Sequence, residues 1–339
     1  MDARKRRILG TLIDDYIASA EPVGSRTLAK KYGLGISSAT IRNEMADLEE
    51  LGFLEQPHTS AGRVPSDRGY RYYVDELMQR PMVTHDIVHR VRLAFQAPVR
   101  EIAWFIHQTA RMVSDMTAYP SVVVGPPVSD ARLGEIRVMQ LQPGTLLLVV
   151  STDSGMVENR AVSLPEELSF EELGWLAKEF SREFRGIPIN ELKDRILDPL
   201  SSDVERYHGL WETLLAWMSE WRLSEDRVTL AGPLNILKYP EFRDVSKVQR
   251  VLGFLERDDA VEQLLHNTVQ DSEHIHVIIG QESTVDAIWD CSVVTATYQV
   301  RGQVVGQVSV IGPKRMQYAH VMTTLEIVSE ELSRALKWA

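Results

Sequence analysis

The spacing of apolar residues over 25–52 predicts two helices joined by a tight turn. The first helix covers 25–32 and ends at Gly33, because glycine can adopt the left-handed conformation that often follows a helix. Ser37 or Ser38 can cap the second helix with its hydroxyl group. The apolar residues of the second helix recur on one face, which we expect to be buried. They are Ile41, Met45, Leu48 and Leu51.

The opposite side of the second helix carries small and hydrogen-bonding side chains near its N-terminal end. At about 100° per residue, Ala39 and Asn43 lie nearly opposite Ile41. Thr40 and Arg42 lie on the flanks, and a recognition helix presents such residues to base edges in a DNA major groove. Two helices of this kind can also pack as a small domain that binds no nucleic acid. The candidate DNA-reading residues of this helix are Ser38, Ala39, Thr40, Arg42 and Asn43.

A β-hairpin is predicted directly after the second helix. A strand over 53–57 and a return at 63–65 enclose a tip rich in turn residues. A hairpin in this position is the wing of a winged helix-turn-helix domain, and Arg63 beside the tip is a candidate for contacting a phosphate or a minor groove. A helix over 4–19 precedes the pair, and another over 66–78 follows the hairpin.

The net charge of −11 is unevenly distributed along the 339 residues. Residues 1–80 carry 12 Lys and Arg against 12 Asp and Glu, so the acidic excess lies in the rest of the chain. Acidic residues crowd the far end of the second helix, which we expect to point away from DNA while the basic side chains face phosphates. A solvated basic face is the alternative. The basic side chains are Arg4, Lys5, Arg6, Arg7, Lys30, Lys31, Arg63, Arg68 and Arg71.

Beyond residue 84, the pattern predicts a mixed body of helices and strands. A long amphipathic helix over 84–117, bent near Pro98, is either a connector or dimer seam, or part of the core of its own domain. A buried strand at 121–125 precedes three antiparallel strands over 134–141, 145–152 and 156–162, which two short turns join. Helices then cover 170–184, 189–197 and 202–222.

Three tryptophans lie in the last of these helices, at Trp211, Trp217 and Trp221. They form either ordinary core or the centre of a subunit interface, where tryptophan is enriched. The remaining strands and helices are typical of a GAF-like domain, in which helices pack on a mostly antiparallel sheet. These helices cover 244–255, 258–267 and 316–338, and these strands cover 227–231, 274–280, 291–300 and 304–311.

Three stretches, over 26–77, 290–298 and 312–319, resemble the HrcA family, bacterial repressors of heat-shock chaperone genes. They include SSATIRNEMADLEELGFLEQPHTSAGRVPS in the first, DCSVVTATY in the second and GPKRM in the third. After Gly280 this chain reads Gln281-Glu282-Ser283 where the family usually has a Glu-Asn pair, which we interpret as loop variation.

The resemblance implies a multidomain α+β fold. A winged helix-turn-helix DNA-binding domain covers 1–80. A GAF-like α/β domain with a mostly antiparallel sheet covers 84–129 and 226–339. An inserted α+β dimerisation domain at 130–225 interrupts it.

The function implied by the resemblance is repression of chaperone operons by a homodimer. A two-fold dimer offers two recognition helices, so its double-stranded DNA operator is an inverted repeat. In this family the operator is the CIRCE element, and the chaperonin GroEL modulates the repressor. An alternative is a metabolite-responsive regulator that senses a small ligand through its GAF-like domain. A third possibility is a protein-interaction module whose winged helix-turn-helix domain no longer binds DNA.

No constellation for catalysis, a metal or a cofactor is evident in the sequence. His85 and His89 have the spacing of a zinc-binding helix, but Asp86 stands where the catalytic Glu would be and a third ligand is missing. The single cysteine, Cys291, excludes an internal disulfide and a Cys-rich zinc site. No apolar run is long enough for a membrane span, and no signal core follows the N-terminus. We therefore expect a cytoplasmic protein that is not an enzyme and has no membrane partner.

Overall fold

The computed structural model describes residues 1–33, 35–58, 61–79, 85–95, 102–125, 132–142, 145–153, 157–163, 170–188, 191–192, 228–268, 274–300 and 302–336. Within them, the α-helices are α1 (Ala3–Ser19), α2 (Ser25–Lys31), α3 (Ser38–Glu50), α4 (Asp67–Tyr72), α5 (His85–Ala94), α6 (Ile102–Thr117), α7 (Phe170–Phe184), α8 (Val245–Leu255), α9 (Asp258–Thr268) and α10 (Tyr318–Ala335). The strands are β1 (Leu54–Glu55), β2 (Val64–Pro65), β3 (Ser121–Val124), β4 (Leu133–Gln142), β5 (Thr145–Thr152), β6 (Val157–Ser163), β7 (Val228–Ala231), β8 (Ile275–Ile279), β9 (Cys291–Val300) and β10 (Gln303–Pro313).

The N-terminal region, residues 1–79, is built on α1, α2 and α3. The predicted turn between α2 and α3 is confirmed, since Gly33 has φ +54° and the Ser37 side chain accepts a hydrogen bond from the backbone N of Thr40 at 3.1 Å. Short strands β1 and β2 pair antiparallel after α3. After α4, the chain continues as one π-helical turn over Tyr73–Leu77.

The prediction that the whole apolar face of α3 is buried is wrong at one residue, Leu51. Ile41, Met45 and Leu48 are buried as expected, but Leu51 is 46% exposed. The helix ends at Glu50, and Gly52 with φ +75° turns the chain away. Leu51 therefore lies at the rim of the helix and not against its neighbours, because the helical periodicity that would bury it has already stopped.

A five-stranded antiparallel sheet, the central sheet, has the strand order β7-β3-β10-β9-β8. Alternate residues of its strands face opposite sides, as Val122 and Val123 do. One face packs against α6 and α10, and the other packs against α8 and α9. Strands β3 and β7 are neighbours although β4, β5, β6 and α7 lie between them in the chain.

Strands β4, β5 and β6 form a separate antiparallel sheet. On β5, Leu146, Leu148 and Val150 are buried, whereas Leu147 and Val149 are only partly buried. Helix α7 covers the buried face through Phe180 and other apolar side chains. The bounds of these three strands match the prediction to within a residue, and α7 matches it fully.

Several predictions fall on residues outside the described part of the chain. The helix predicted over 84–117 is present as α5 and α6, and its expected bend at Pro98 lies between them, outside the described residues. The tryptophan-rich helix at 202–222 and nearly all of the helix at 189–197 also lie outside them. Among the described helices, none has the length and hydropathy needed to cross a bilayer.

Candidate nucleic-acid interface

The first two turns of α3 present the predicted reading residues to solvent. Ala39, Arg42 and Asn43 are exposed, whereas Ile41 between them is fully buried. Ser38 and Thr40 are partly exposed, and the Thr40 hydroxyl lies 2.9 Å from the Ser37 hydroxyl, so it takes part in the helix cap. The N-terminal end of α3, the end at which a helix has backbone N–H groups without partners in the helix, therefore also carries an arginine and an amide side chain.

Few basic side chains of the N-terminal region remain available for a phosphate. Arg26 and Lys30 lie one turn apart on α2, and both are exposed, as are Arg7 on α1 and Arg42. These four form no ion pair with any other residue that the structure describes. A cation without a carboxylate neighbour can neutralise a DNA phosphate and release its counterion.

Seven of the nine basic side chains that the sequence singles out pair with other groups of the protein. Lys5 lies 2.8 Å from Glu44 and 2.9 Å from Asp47, so the acidic end of α3 packs beside the basic start of α1. The hydrogen bonds to Glu44 and Asp47 raise the pKa of the Lys5 ammonium. Other members of the set also have partners within the protein. They are Arg4 with Glu44, Arg6 with Glu76, Lys31 with Asp15, Arg63 with Glu49, Arg68 with the Leu51 carbonyl, and Arg71 with Glu282.

Arg63 lies against the C-terminal half of α3, not beside the reading residues. Its Nε and Nη2 atoms lie 2.8 and 2.7 Å from Glu49 Oε2, and its side chain is 19% exposed. Its backbone also exchanges two 2.9 Å hydrogen bonds with Val23. Arg63 therefore joins the strand pair to α3 and to the segment before α2, a structural role that the sequence pattern did not indicate.

The other residues considered for chemistry have structural surroundings. Cys291 is buried, and burial raises the pKa of its thiol to about 12, so it is a thiol and not a nucleophile at neutral pH. His85 and His89 lie on α5 as predicted. Within the described ranges, no group of three or more His, Cys, Asp or Glu side chains could hold a metal ion.

A polar cleft of about 370 Å³ lies where the β8–β9 end of the central sheet meets α10. Thr297 and Gln299 line it from β9, and Ser329, Glu330 and Ser333 line it from α10. Such a cleft can hold a small polar molecule, although many of its hydrogen-bonding groups are already paired, as the Ser333 hydroxyl is with the Gln299 backbone N.

A family model matches most of this chain, and known proteins match nearly its full length. A family model described as HrcA protein C terminal domain matches residues 104–322. The heat-inducible transcription repressor HrcA of Desulforudis audaxviator is 41% identical over 338 residues, covering 99% of this chain and 98% of the relative. The protein of the same name from Symbiobacterium thermophilum is 43% identical over 335 residues, covering 98% of each chain.

Among solved structures, the crystal structure of a hypothetical protein has a TM-score of 0.73 and 22% identity, covering 100% of this chain and 99% of that one. This likeness supports the mixed architecture of helices and antiparallel sheets. The sequence identities to the two repressors extend over nearly the full length of each protein. The chain therefore belongs to the HrcA family of heat-inducible transcription repressors.

Proposed function

We propose that this chain represses chaperone operons as a homodimer that binds a CIRCE-type inverted repeat through α3. The observation that carries the proposal is the exposure of Ala39, Arg42 and Asn43 on one side of α3. The neighbouring helix α2 adds exposed cations that form no ion pair within the described part of the chain. In this proposal Ser38, Ala39, Thr40, Arg42 and Asn43 read base edges. Arg63 contacts the DNA backbone from the wing when a phosphate replaces Glu49 as its partner, and the protein acts in the cytoplasm, where bacterial DNA lies.

The proposed domains are a winged helix-turn-helix at 1–80, a GAF-like domain at 84–129 and 226–339, and an inserted domain at 130–225. The direct pairing of β3 with β7 supports the insertion, because the intervening strands form a sheet of their own. A segment that leaves and re-enters a sheet at adjacent strands can fold as a separate unit.

The proposed dimer surface is the face of the β4-β5-β6 sheet opposite α7. Met139, Leu147 and Ala161 stand side by side across the three strands. Met139 is 55% exposed, and Leu147 and Val149 on the same face are partly buried. These apolar side chains lie next to the Glu135–Arg137 ion pair on the same face, and an apolar patch with a polar rim is typical of a surface that another subunit covers.

Titration of an inverted-repeat duplex at several salt concentrations tests the reading face. Asn43→Ala is expected to weaken specific binding by about 1–3 kcal/mol, the cost of losing one bidentate base contact. Arg42→Ala is expected to weaken binding and to lower the steepness of the salt dependence. Arg243→Ala, which removes an exposed arginine far from α3 in the chain, is the control. Unchanged binding by both α3 variants would show that another surface reads the operator.

Modulation by the chaperonin GroEL belongs to the same proposal and has its own test. The repressor is refolded with and without GroEL, and the fraction that binds the duplex is titrated. We expect a larger fraction of the repressor to bind the duplex after refolding with GroEL. Equal fractions with and without GroEL would contradict a role for GroEL.

A second candidate function, regulation by a small polar metabolite, is favoured by the cleft beside α10. A ligand there stabilises the folded state by mass action, so thermal unfolding in the presence of candidate metabolites detects it. Glu330→Trp fills the cleft from an exposed position and is expected to abolish the shift. A shift that survives this variant would place the ligand elsewhere.

A further inference from the structure

Helix α4 lies against the outer edge of the central sheet and the turn that follows β8. Asp67, its first residue, accepts a hydrogen bond from the backbone N of Gln281 at 3.0 Å and pairs with Lys314 at 2.5 Å. Gln281 follows β8, and Lys314 follows β10. One carboxylate of the N-terminal region thus holds two separate loops of the body.

Arg71, one turn further along α4, binds the same region. Its Nε donates to Glu282 Oε1 at 2.8 Å, and its Nη2 donates to the Val277 carbonyl at 2.5 Å. Glu282 in turn accepts a hydrogen bond from the Ile279 backbone N at 2.8 Å. Because β9 occupies the other side of β8, Arg71 and Glu282 together satisfy polar groups on the free edge of the sheet.

The position of Gly280 leaves no room for a side chain in this arrangement. Its φ is +53°, and a Cβ there would lie 2.2 Å from the Asp67 carboxylate. The contact also includes apolar groups, since Tyr70 is 2% exposed and its ring lies 6.1 Å from that of Tyr318. The apolar core of the N-terminal region is continuous with one face of the central sheet.

The docked face and the reading face are different surfaces of the N-terminal region. Docking uses α4 and the end of α1, where the Ile17 carbonyl accepts a hydrogen bond from Arg315 at 3.0 Å. The reading residues on α3 stay exposed. The contacts therefore set the direction of α3 relative to the part of the chain after residue 84, and they leave the exposed side of α3 uncovered.

We propose that Asp67 and Arg71 are positioning residues for operator binding, which fix the distance between the two reading helices of a dimer. They contact Gly280, Gln281, Glu282 and Lys314 and touch no DNA. A rigid connection favours the one half-site spacing that matches the dimer, whereas a loose one accepts many spacings with lower affinity for each. This inference rests on the proposed function, in which a dimer binds an inverted repeat.

The experiment measures affinity for a series of inverted repeats that differ only in spacer length, and for a single half-site. The wild-type protein is expected to prefer one spacing by about tenfold or more, as two linked sites do when their geometry matches. Gly280→Ala and Arg71→Ala are expected to reduce this preference to about threefold or less while half-site affinity stays the same. Gly186→Ala is the control, because Gly186 has φ +81° but nothing within 4 Å of its Cβ position.

A second measurement needs no DNA. Spin labels at Lys30→Cys and Lys238→Cys, both exposed positions, report the distance between the N-terminal region and the body, and the buried Cys291 stays in place. Gly280→Ala and Arg71→Ala are expected to broaden the distance distribution, and Gly186→Ala is not.

Two outcomes would overturn the inference. An unchanged spacing preference, with an unchanged label distribution, would show that these contacts position nothing. A parallel loss of full-site and half-site affinity in Arg71→Ala would place Arg71 in the reading surface itself. A wild-type protein that binds no inverted repeat would instead reject the proposed function, and the label distances would still decide whether Asp67 and Arg71 hold the N-terminal region.

Discussion

Asp15 connects α1 to α2 through a buried carboxylate. It is 4% exposed, pairs with the Lys31 ammonium and accepts a hydrogen bond from the Tyr32 hydroxyl at 2.8 Å. Burial raises the pKa of Asp15, but the hydrogen bonds from Lys31 and Tyr32 outweigh it, and the pKa is lowered. A lowered pKa means that the carboxylate contributes stability above its unfolded-state pKa and loses it as the pH falls through the folded-state value.

Asp15→Asn is therefore expected to lower the free energy of unfolding by about 1.5–3 kcal/mol at neutral pH, the contribution of hydrogen bonds to a charged group. The difference from wild type should be smaller at about pH 3, because the charge of Asp15 stabilises the fold less as the pH falls below about 4, the ordinary pKa of an aspartate. Urea unfolding at the two pH values measures it. Glu21→Gln, in the exposed turn after α1, is the control. A difference independent of pH would contradict the assigned role of the charge.

The Arg63–Glu49 pair allows a second test at single residues. Glu49→Gln is expected to release the Arg63 guanidinium and strengthen DNA binding at low salt, because a freed cation can contact a phosphate. Glu50→Gln removes the same charge from a neighbouring exposed position and is expected to have a smaller effect. Binding is measured on one duplex for both variants. Equal effects of the two would show that only net charge matters and that Arg63 makes no backbone contact.

At the scale of the element, α3 combines a buried stripe with an exposed reading side. Its cap at Ser37 and its stripe follow from local pattern, since a hydroxyl before an apolar repeat marks a helix start. The exposure of Leu51 does not follow from that pattern. It depends on where the chain leaves the helix, which the left-handed Gly52 decides.

Leu48 within α3 and Leu51 just after its last residue make the contrast measurable. Leu48→Ala is expected to lower the free energy of unfolding by about 2–5 kcal/mol, because Leu48 is fully buried and its loss leaves a cavity. Leu51→Ala, three residues later on the rim, is expected to cost less than about 0.5 kcal/mol. Chemical unfolding of the two variants tests this. Similar losses would mean that Leu51 is covered in solution.

At the scale of the whole molecule, the proposed dimer predicts that a substitution in its interface halves the mass of the particle in solution. Met139→Lys places a charge on the open face of the β4-β5-β6 sheet and is expected to convert the dimer to a monomer, because a buried unpaired charge is costly. Sedimentation velocity measures the oligomeric state. Glu183→Gln changes the charge equally on an exposed position of α7 and is expected to leave the dimer intact. A Met139→Lys protein that remained dimeric would move the interface to another surface.

The sequence determined the local features of this protein. Apolar spacing predicted α3, α7 and the strands of both larger sheets, because periodicity records which side of an element is buried. It also placed Ala39, Arg42 and Asn43 on the exposed side of α3. The likeness to HrcA at both ends of the chain predicted the family, which the full-length relatives confirm.

Only the tertiary structure decided which charges are available. Arg71 belongs by sequence to a basic cluster, yet its partner Glu282 lies 211 residues away in the chain. In the same way, Glu282 stands in a turn interpreted as loop variation, where the structure shows a docking contact. An ion pair depends on a distance of a few ångströms between side chains, and residue spacing carries that information only within one helix or strand.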